Sequence, residues 1–437
     1  MGRPGSGAVE LDETRIVETL HDLDAIGNRF HATSGEAVCR DYLLDRFSGI
    51  SLDAVRFESF RYLAYEPIGA SCTMAAPYGD PIPCRPLQFT ASAEIEAEAV
   101  FLGRGTKRDL ERLDALGGSL EGKIAVIHKP FPFLVAPLFD GCGIAGLVNV
   151  SDAPDGLVAD FTAAFYPPPL DVPTEGRPLD YPGVTVELEA GRRLVSTMSF
   201  GSPVRLRVAH RASYRATEAA NVIGEIPGAS DERVIVGAHY DSQASGPCVW
   251  DNATGLAGLL EIARTFVRRE PHRTIEVVAF AVEEIGLIGS SSHARVHAAE
   301  LERTLGMVNL DAMGSRLRGK RAILADVGIQ RLAVETARSL GWEPEGLWDV
   351  RLHPASDYYP FSDRGVPSCQ VLEFPPVCPY YHTSGDTLAL IDSAVVVELS
   401  TVSAAILARL ADEGRDSLAL ASGHAEADAG RSILDAS

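Results

Sequence analysis

From about residue 215 onward, short apolar runs alternate with helical patterns, and this alternation constrains the fold of the 437-residue chain more than any other feature. The runs at 234–238, 275–282 and 305–310 are dominated by Val, Ile, Leu, Ala and Met instead of alternating with polar residues. Runs of that kind belong to strands covered on both faces. Between the first two lies a helix whose inner side carries Leu256, Leu259, Leu260, Ile262, Ala263, Phe266 and Val267. Further strands are expected at 322–324 and 368–372, and a closing helix at 391–411. The expectation is an α/β fold: a mostly parallel (mixed) sheet with helices on both faces.

The rest of the chain has a different texture. Residues 1–60 read as helical, with Leu20, Leu23, Ile26 and then Val38, Tyr42, Leu43 and Phe47 near helical spacing around a Thr33-Ser34-Gly35 break. Residues 61–205 hold short apolar runs (99–102, 124–127, 146–150, 184–188) between Gly and Pro clusters such as Pro167-Pro168-Pro169, the pattern of a β-rich segment with long loops. The expected organisation is one discontinuous domain, 1–60 and 206–411, interrupted by a β-rich insert, 61–205. The Ala/Asp/Gly/Ser-rich residues 412–437 read as a disordered acidic tail.

With 39 basic against 60 acidic residues the net charge is −21. That balance argues against a nucleic-acid partner and against an anionic membrane surface. No signal-like apolar stretch follows Met1, and no apolar run is long enough to span a membrane. The seven cysteines are odd in number and form no C-x-x-C pair. Cys369 and Cys378 are close enough for a loop disulfide, with buried thiols the favoured reading. Together these point to a cytoplasmic protein. Oligomeric state is not legible.

Five segments carry chemistry, each where a strand or loop meets the edge at which open α/β sheets place their ligands. In Gly237-Ala238-His239-Tyr240-Asp241-Ser242, a strand delivers His239, and Asp241 two residues on is placed to fix the tautomer of a ligating imidazole. In Trp250-Asp251-Asn252-Ala253-Thr254-Gly255, Asp251 precedes a helix and would ordinarily be a cap, but Asn252 or Thr254 can cap instead. Glu283 and Glu284 follow an apolar strand, so that one carboxylate can bind a metal while its neighbour moves a proton. Asp311 ends the strand in Val308-Asn309-Leu310-Asp311-Ala312-Met313-Gly314. His382 stands in Tyr380-Tyr381-His382-Thr383-Ser384-Gly385-Asp386-Thr387. Two imidazoles and three carboxylates without thiolates suit catalytic zinc, and three carboxylates exceed what one such ion takes. A two-metal site follows, Zn²⁺ at two per chain, with four positive charges set against the three carboxylates Asp251, Glu284 and Asp311.

This ordered set resembles the co-catalytic di-zinc aminopeptidase family, which includes bacterial leucine aminopeptidases and has glutamate carboxypeptidase among its relatives. The resemblance covers about residues 215–411. It implies that Asp251 bridges two zinc ions, that His239 and Asp311 complete one, and that Glu284 and His382 complete the other. It further implies that Glu283 is the general base for the shared water, that Asp241 supports His239, and that the Asp251–Asn252 peptide is cis. Segments 122–128 and 141–150 resemble the protease-associated domain often inserted in this family, which would roof the cleft and limit substrate size. Some relatives place an oxyanion-stabilising tyrosine three residues before a Ser-Asp pair; here Ser356-Asp357 is preceded by His353. Tyr381, beside His382, either faces substrate or packs. The remaining histidines (His21, His31, His128, His210, His272, His293, His297, His424) fit no ligand pattern and read as structural or exposed.

The implied activity is a zinc-dependent exopeptidase acting on a peptide or small amide substrate, foremost an aminopeptidase. A carboxypeptidase or a non-peptide amide hydrolase would use the same site. A glutaminyl cyclase-type transferase with one zinc, and a catalytically dead receptor or scaffold relative, are disfavoured because all five ligand candidates and the base are present.

Overall fold

A computed structural model describes residues 9–129, 131–163, 178–200, 203–375, 378–414 and 418. The expected tail beyond residue 414 lies, apart from Leu418, outside the described residues, as do Pro167-Pro168-Pro169 and His424. Among the described residues, the motifs lie on or beside seven neighbouring strands at one end of a 15-stranded sheet. Their order is Gly346–Trp348, Lys320–Ala325, Ser368–Phe374, Thr304–Asn309, Arg233–His239, Thr274–Phe280 and Arg205–Ile226. Arg233–His239 pairs in parallel with both Thr274–Phe280 and Thr304–Asn309, while Arg205–Ile226 pairs antiparallel with Thr274–Phe280 and Lys320–Ala325 antiparallel with Ser368–Phe374. The sheet is therefore mixed, as expected.

The continuous apolar runs have a simple physical cause: successive side chains point to opposite faces, and each face is covered. Val234, Val236 and Ala238 join a core with helices Glu13–Ile26, Ser34–Ile50, Thr254–Phe266, Val327–Ser339 and Ser393–Asp412. Ile235 packs on the other face with Val278, Phe280, Met307, Tyr358 and Phe361. Gly237 lies on that second face, where a Cβ would come within 2.3 Å of the Phe280 ring. Among the described residues, Ser393–Asp412 is the one helix long and apolar enough to cross a membrane, and 67% of its most apolar window is buried in this core.

Register sets the site. His239 sits beside Phe280, and Gly237 beside Asn309. Two residues beyond that second pair lie His239 and Asp311, so both emerge level at one edge, next to the turn that carries Glu283 and Glu284.

The expectation that residues 1–60 are helical fails at its end. A strand, Asp53–Ala76, begins there and pairs antiparallel with Arg205–Ile226, from Asp53 opposite Glu225 to Ala76 opposite Arg205. The boundary expected after residue 60 falls inside this ribbon, whose alternating charged and apolar residues suit a partly exposed strand. At its far end stand Ala93–Phe101, Ile124–Ile127, Gly146–Val150, Gly183–Val186 and Cys84–Gln88. These strands enclose apolar clusters of their own, around Val126, Val148, Val184 and Leu206 on one side and Ile127, Phe139, Leu147 and Tyr181 on the other. All seven cysteines, Cys369 and Cys378 included, are free thiols.

Candidate metal centre

The helix Thr254–Phe266 needs its first N–H groups satisfied, and Asn252 does this: its Oδ1 accepts from Gly255 N at 2.9 Å, while its Nδ2 donates to the Leu310 carbonyl at 2.9 Å. The Asp251 carboxylate is thereby released from capping. The Asp251–Asn252 peptide is cis. Asp251 is instead held through its backbone, because the buried Asp386 carboxylate accepts from both Trp250 N (2.8 Å) and Asp251 N (3.1 Å).

The freed carboxylate faces two imidazoles. Its Oδ1 lies 3.1 Å from His239 Nε2 and its Oδ2 3.2 Å from His382 Nε2. Outside this pair, Asp311 Oδ1 lies 3.3 Å from His239 Nε2, and Glu284 Oε2 lies 3.2 Å from His382 Nε2. Glu283 groups with His239 and Asp311. All six residues are buried.

Hydrogen bonding alone does not satisfy this arrangement. An imidazole nitrogen carries one proton or one lone pair, yet each Nε2 faces two carboxylate oxygens. His239 Nε2, Asp311 Oδ1 and Glu284 Oε1 are buried without a hydrogen-bond partner, and such orphans ordinarily cost about 1–3 kcal/mol each. Bonds of about 2.0–2.1 Å from zinc to nitrogen and oxygen place the corners of a tetrahedron about 3.3–3.4 Å apart, close to the spacings found here. The donor set and the orphaned atoms fit a pair of divalent cations.

The electrostatics point the same way. Burial lowers the affinity of His382 for its proton, but the Glu284 and Asp251 carboxylates override it and raise the pKa to about 10. His239 is likewise raised, the charge of Glu283 and the Asp241, Asp251 and Asp311 contacts outweighing burial. Burial pushes Asp251 up, but its two histidine contacts hold it below the usual carboxylate range. Burial raises Glu284 to about 7 and holds Glu283 well above the ordinary glutamate value. A field that retains protons on two buried imidazoles also retains cations.

Outer contacts fix the ligand candidates. His382 Nδ1–H donates to the Asp160 carbonyl at 3.0 Å, leaving the Nε2 lone pair directed inward. His239 Nδ1 makes its contact with the carbonyl of Asp241 (3.2 Å), not with the carboxylate, which is 3.7 Å away. The Asp241 carboxylate instead accepts from Glu283 N (2.9 Å) and Glu284 N (3.2 Å). It thus grips the turn that bears both glutamates, as Asp386 grips the turn that bears Asp251. Gln243 Nε2 donates to Glu284 Oε2 at 3.0 Å, and Ser356 Oγ to Asp311 Oδ2 at 2.6 Å. The sequence reading assigned no role to Asp386, Gln243, Ser356 or Asp160. Asp386, the carboxylate of the fifth motif, and Ser356, in the Ser-Asp pair after His353, carried a visible signal.

Above the centre opens a cleft lined by Phe131, Phe133 and Phe161 from the second lobe, the strands and loops at the far end of the ribbon, and by Trp250, Tyr381 and His353 from the first, which bears the five motifs. His353 is buried, with Nδ1 2.9 Å from the Asp349 carbonyl. Tyr381 stacks on His382 at 3.8 Å between ring centroids and meets Trp250 and Phe131 edge-on. The second lobe touches the site directly, since Asp160 N donates to the His382 carbonyl at 2.9 Å and the Phe161 ring lies 5.5 Å from the imidazole.

Residues 221–407, which contain all five ligand candidates and Glu283, match the sequence profile of peptidase family M28. That stretch of the chain is similar to peptidase family M28. The chain is 31% identical to aminopeptidase YwaD of Bacillus subtilis, over 36% of each protein. It is 28% identical to a probable leucine aminopeptidase of Arthroderma otae, over 44% of this chain and 57% of that protein. These matches thus span about a third to just over half of those relatives' length. The fold of the chain is shared with solved structures. A zinc aminopeptidase from Bacillus subtilis, BSAP, superposes with a TM-score of 0.71 at 22% identity, over 93% of this chain and 97% of that one.

Proposed function

We propose that the protein is a zinc-dependent aminopeptidase that removes N-terminal residues from peptides, with two zinc ions at the Asp251 centre. The observation that carries this reading is the Asp251 carboxylate, whose two oxygens face His239 and His382 at 3.1 and 3.2 Å with Asp311 and Glu284 outside them. In this reading Asp251 would be shared by the two ions, His239 and Asp311 would hold one, and His382 and Glu284 would hold the other. Zinc held by these residues would supply electrophilic polarisation of the scissile carbonyl and of the attacking water.

Glu283 is then the proton carrier. Burial makes its carboxylate a stronger base than an exposed glutamate. It takes the proton of the attacking water and returns it to the amine as the C–N bond breaks. Asp241 and Asp386 are positioning residues that hold the turns beneath Glu283–Glu284 and Asp251. The wall residue His353 is a candidate hydrogen-bond donor to the developing oxyanion, and Tyr381 fixes the plane of His382. The segment 61–205, read as a protease-associated-like insert, would roof the cleft with Phe131, Phe133 and Phe161 and restrict attack to chain ends.

The amino end is favoured over the carboxyl end by charge. Among the described residues lining the cleft there is no Lys or Arg to pair with an α-carboxylate. Hydrolysis of leucine p-nitroanilide, set against N-acetylated dipeptides, tests the proposal. The expected result is chelator-sensitive, zinc-restored turnover of the free-amine substrate only. Preferential cleavage of the blocked dipeptides would overturn the aminopeptidase assignment.

A further inference from the structure

The sequence reading set His293 and His297 aside, yet they lie one helical turn apart on Ile288–Val296 and its C-cap, and converge on Glu58 from the long strand Asp53–Ala76. Glu58 Oε1 is 2.9 Å from His293 Nδ1, and Glu58 Oε2 is 2.5 Å from His297 Nε2. The three donor groups lie within 4.8 Å of one another. Residues four apart on a helix share a face, so the two imidazoles and the carboxylate from a separate element form a preassembled N₂O set.

The far side of His293 supplies the second observation. Its Nε2 is buried and makes no hydrogen bond, and Glu276 Oε2 lies 3.6 Å away. Glu276 is itself buried, with Arg233 at 3.2 Å and Arg56 at 3.8 Å. If His293 were neutral and donated from Nδ1 to Glu58, its bare Nε2 lone pair would face the Glu276 carboxylate. Against burial, the two carboxylates hold the ring's pKa raised to about 9, and a cation on Nδ1 meets the same demand as a second ring proton: Nε2 carries its proton toward Glu276, the carboxylate–histidine–metal relay common behind ligating histidines.

We propose that Glu58, His293 and His297 form a separate zinc site, with Glu276 orienting His293 from behind. Two imidazoles and one carboxylate are a zinc donor set, with solvent supplying the fourth position. The site is reachable, because the His297 and Glu58 side chains keep 19% and 14% of their exposure. Its place in the fold gives it a structural task. Strand Thr274–Phe280, which holds Glu276, and helix Ile288–Val296, which holds His293, are the elements that enter and leave the Glu283–Glu284 turn. Asn221 spans the same junction, accepting from Ala281 N at 3.0 Å, donating to the Gly289 carbonyl at 3.0 Å and reaching Glu58 at 3.4 Å. An ion there would pin strand, helix and ribbon together behind the turn.

The test is zinc content per chain in the purified holoprotein, compared with His297→Ala, alongside leucine p-nitroanilide turnover in excess zinc. His297→Ala should lose one equivalent of zinc while the ions of the Asp251 centre, which that residue does not touch, stay bound and turnover is reduced but not abolished. Equal zinc content in the two proteins would overturn the proposal. Should the variant not fold, an anomalous difference map at the zinc edge on wild-type crystals decides. A peak among Glu58, His293 and His297 supports the site; its absence in zinc-soaked crystals refutes it. Peaks at Asp251 are read separately in the same map.

Discussion

Replacing Asp241 with Asn tests how much of the centre is held from behind. The Asp241 carboxylate accepts from Glu283 N at 2.9 Å and Glu284 N at 3.2 Å, one bond to each oxygen. Hydrogen bonds to a charged acceptor contribute about 1.5–3 kcal/mol each. Asparagine keeps one oxygen and turns an N–H₂ group toward the other donor. One bond weakens to its neutral strength, and a buried N–H loses its acceptor, so the turn loses about 3 kcal/mol of support. At about 1.4 kcal/mol per tenfold, that is about a hundredfold in the population of the correctly placed turn, which agrees with the 10- to 100-fold usually lost when a contact behind a metal ligand is removed. The assay is kcat on leucine p-nitroanilide at saturating zinc, with chelator competition for zinc affinity and circular dichroism for folding. Asp241→Asn should fold and lose about a hundredfold in kcat, in zinc affinity, or divided between the two. A folded Asp241→Asn protein within twofold of wild type in both would refute the claim that this carboxylate places the Glu283–Glu284 turn.

Other consequences follow from the same geometry. Glu283→Gln removes the proton carrier and leaves the ligand candidates in place, so turnover should fall by about 10²–10⁴ with zinc content unchanged; activity near wild type would contradict the base assignment. Phe161→Ala opens the cleft wall beside His382 and should raise KM for leucine p-nitroanilide several-fold, about 1 kcal/mol of lost contact, with kcat nearly constant; a drop confined to kcat would argue against a binding wall. His31 is buried, and burial depresses its pKa from 6.5 to about 4. The unfolded chain therefore binds a proton that the folded one refuses, and the stability this residue contributes is present above pH 6.5 and lost as pH falls toward 4. Glu36 nearby, raised to about 7 by burial, has the opposite slope, so the effect is read as a difference between proteins. Between pH 7 and 4.5, denaturant unfolding should show wild type losing about 2 kcal/mol more than His31→Phe; parallel pH profiles would contradict it.

The strands that bear the site were legible because burial on both faces forces continuous apolar runs, and the five motifs sit at the ends of those runs or in the loops beside them. The spare-cap argument also read correctly from local chemistry, since Asn252 caps the helix and leaves Asp251 free. The ribbon Asp53–Ala76 with Arg205–Ile226 was hidden because its partners are well over a hundred positions apart. The support residues were hidden for a related reason. Gln243 reaching Glu284 and Asp160 reaching His382 are contacts made by tertiary folding, with no local pattern of their own. His293 and His297 were passed over because their partner, Glu58, lies on that unread ribbon.

The central claim is that Asp251 is shared between two metal ions. Zinc content by elemental analysis of wild type against Asp251→Ala, both purified in excess zinc and dialysed alike, tests it most directly. The account predicts that Asp251→Ala loses two equivalents of zinc together with its hydrolysis of leucine p-nitroanilide. A folded Asp251→Ala protein that keeps its full zinc complement would contradict it.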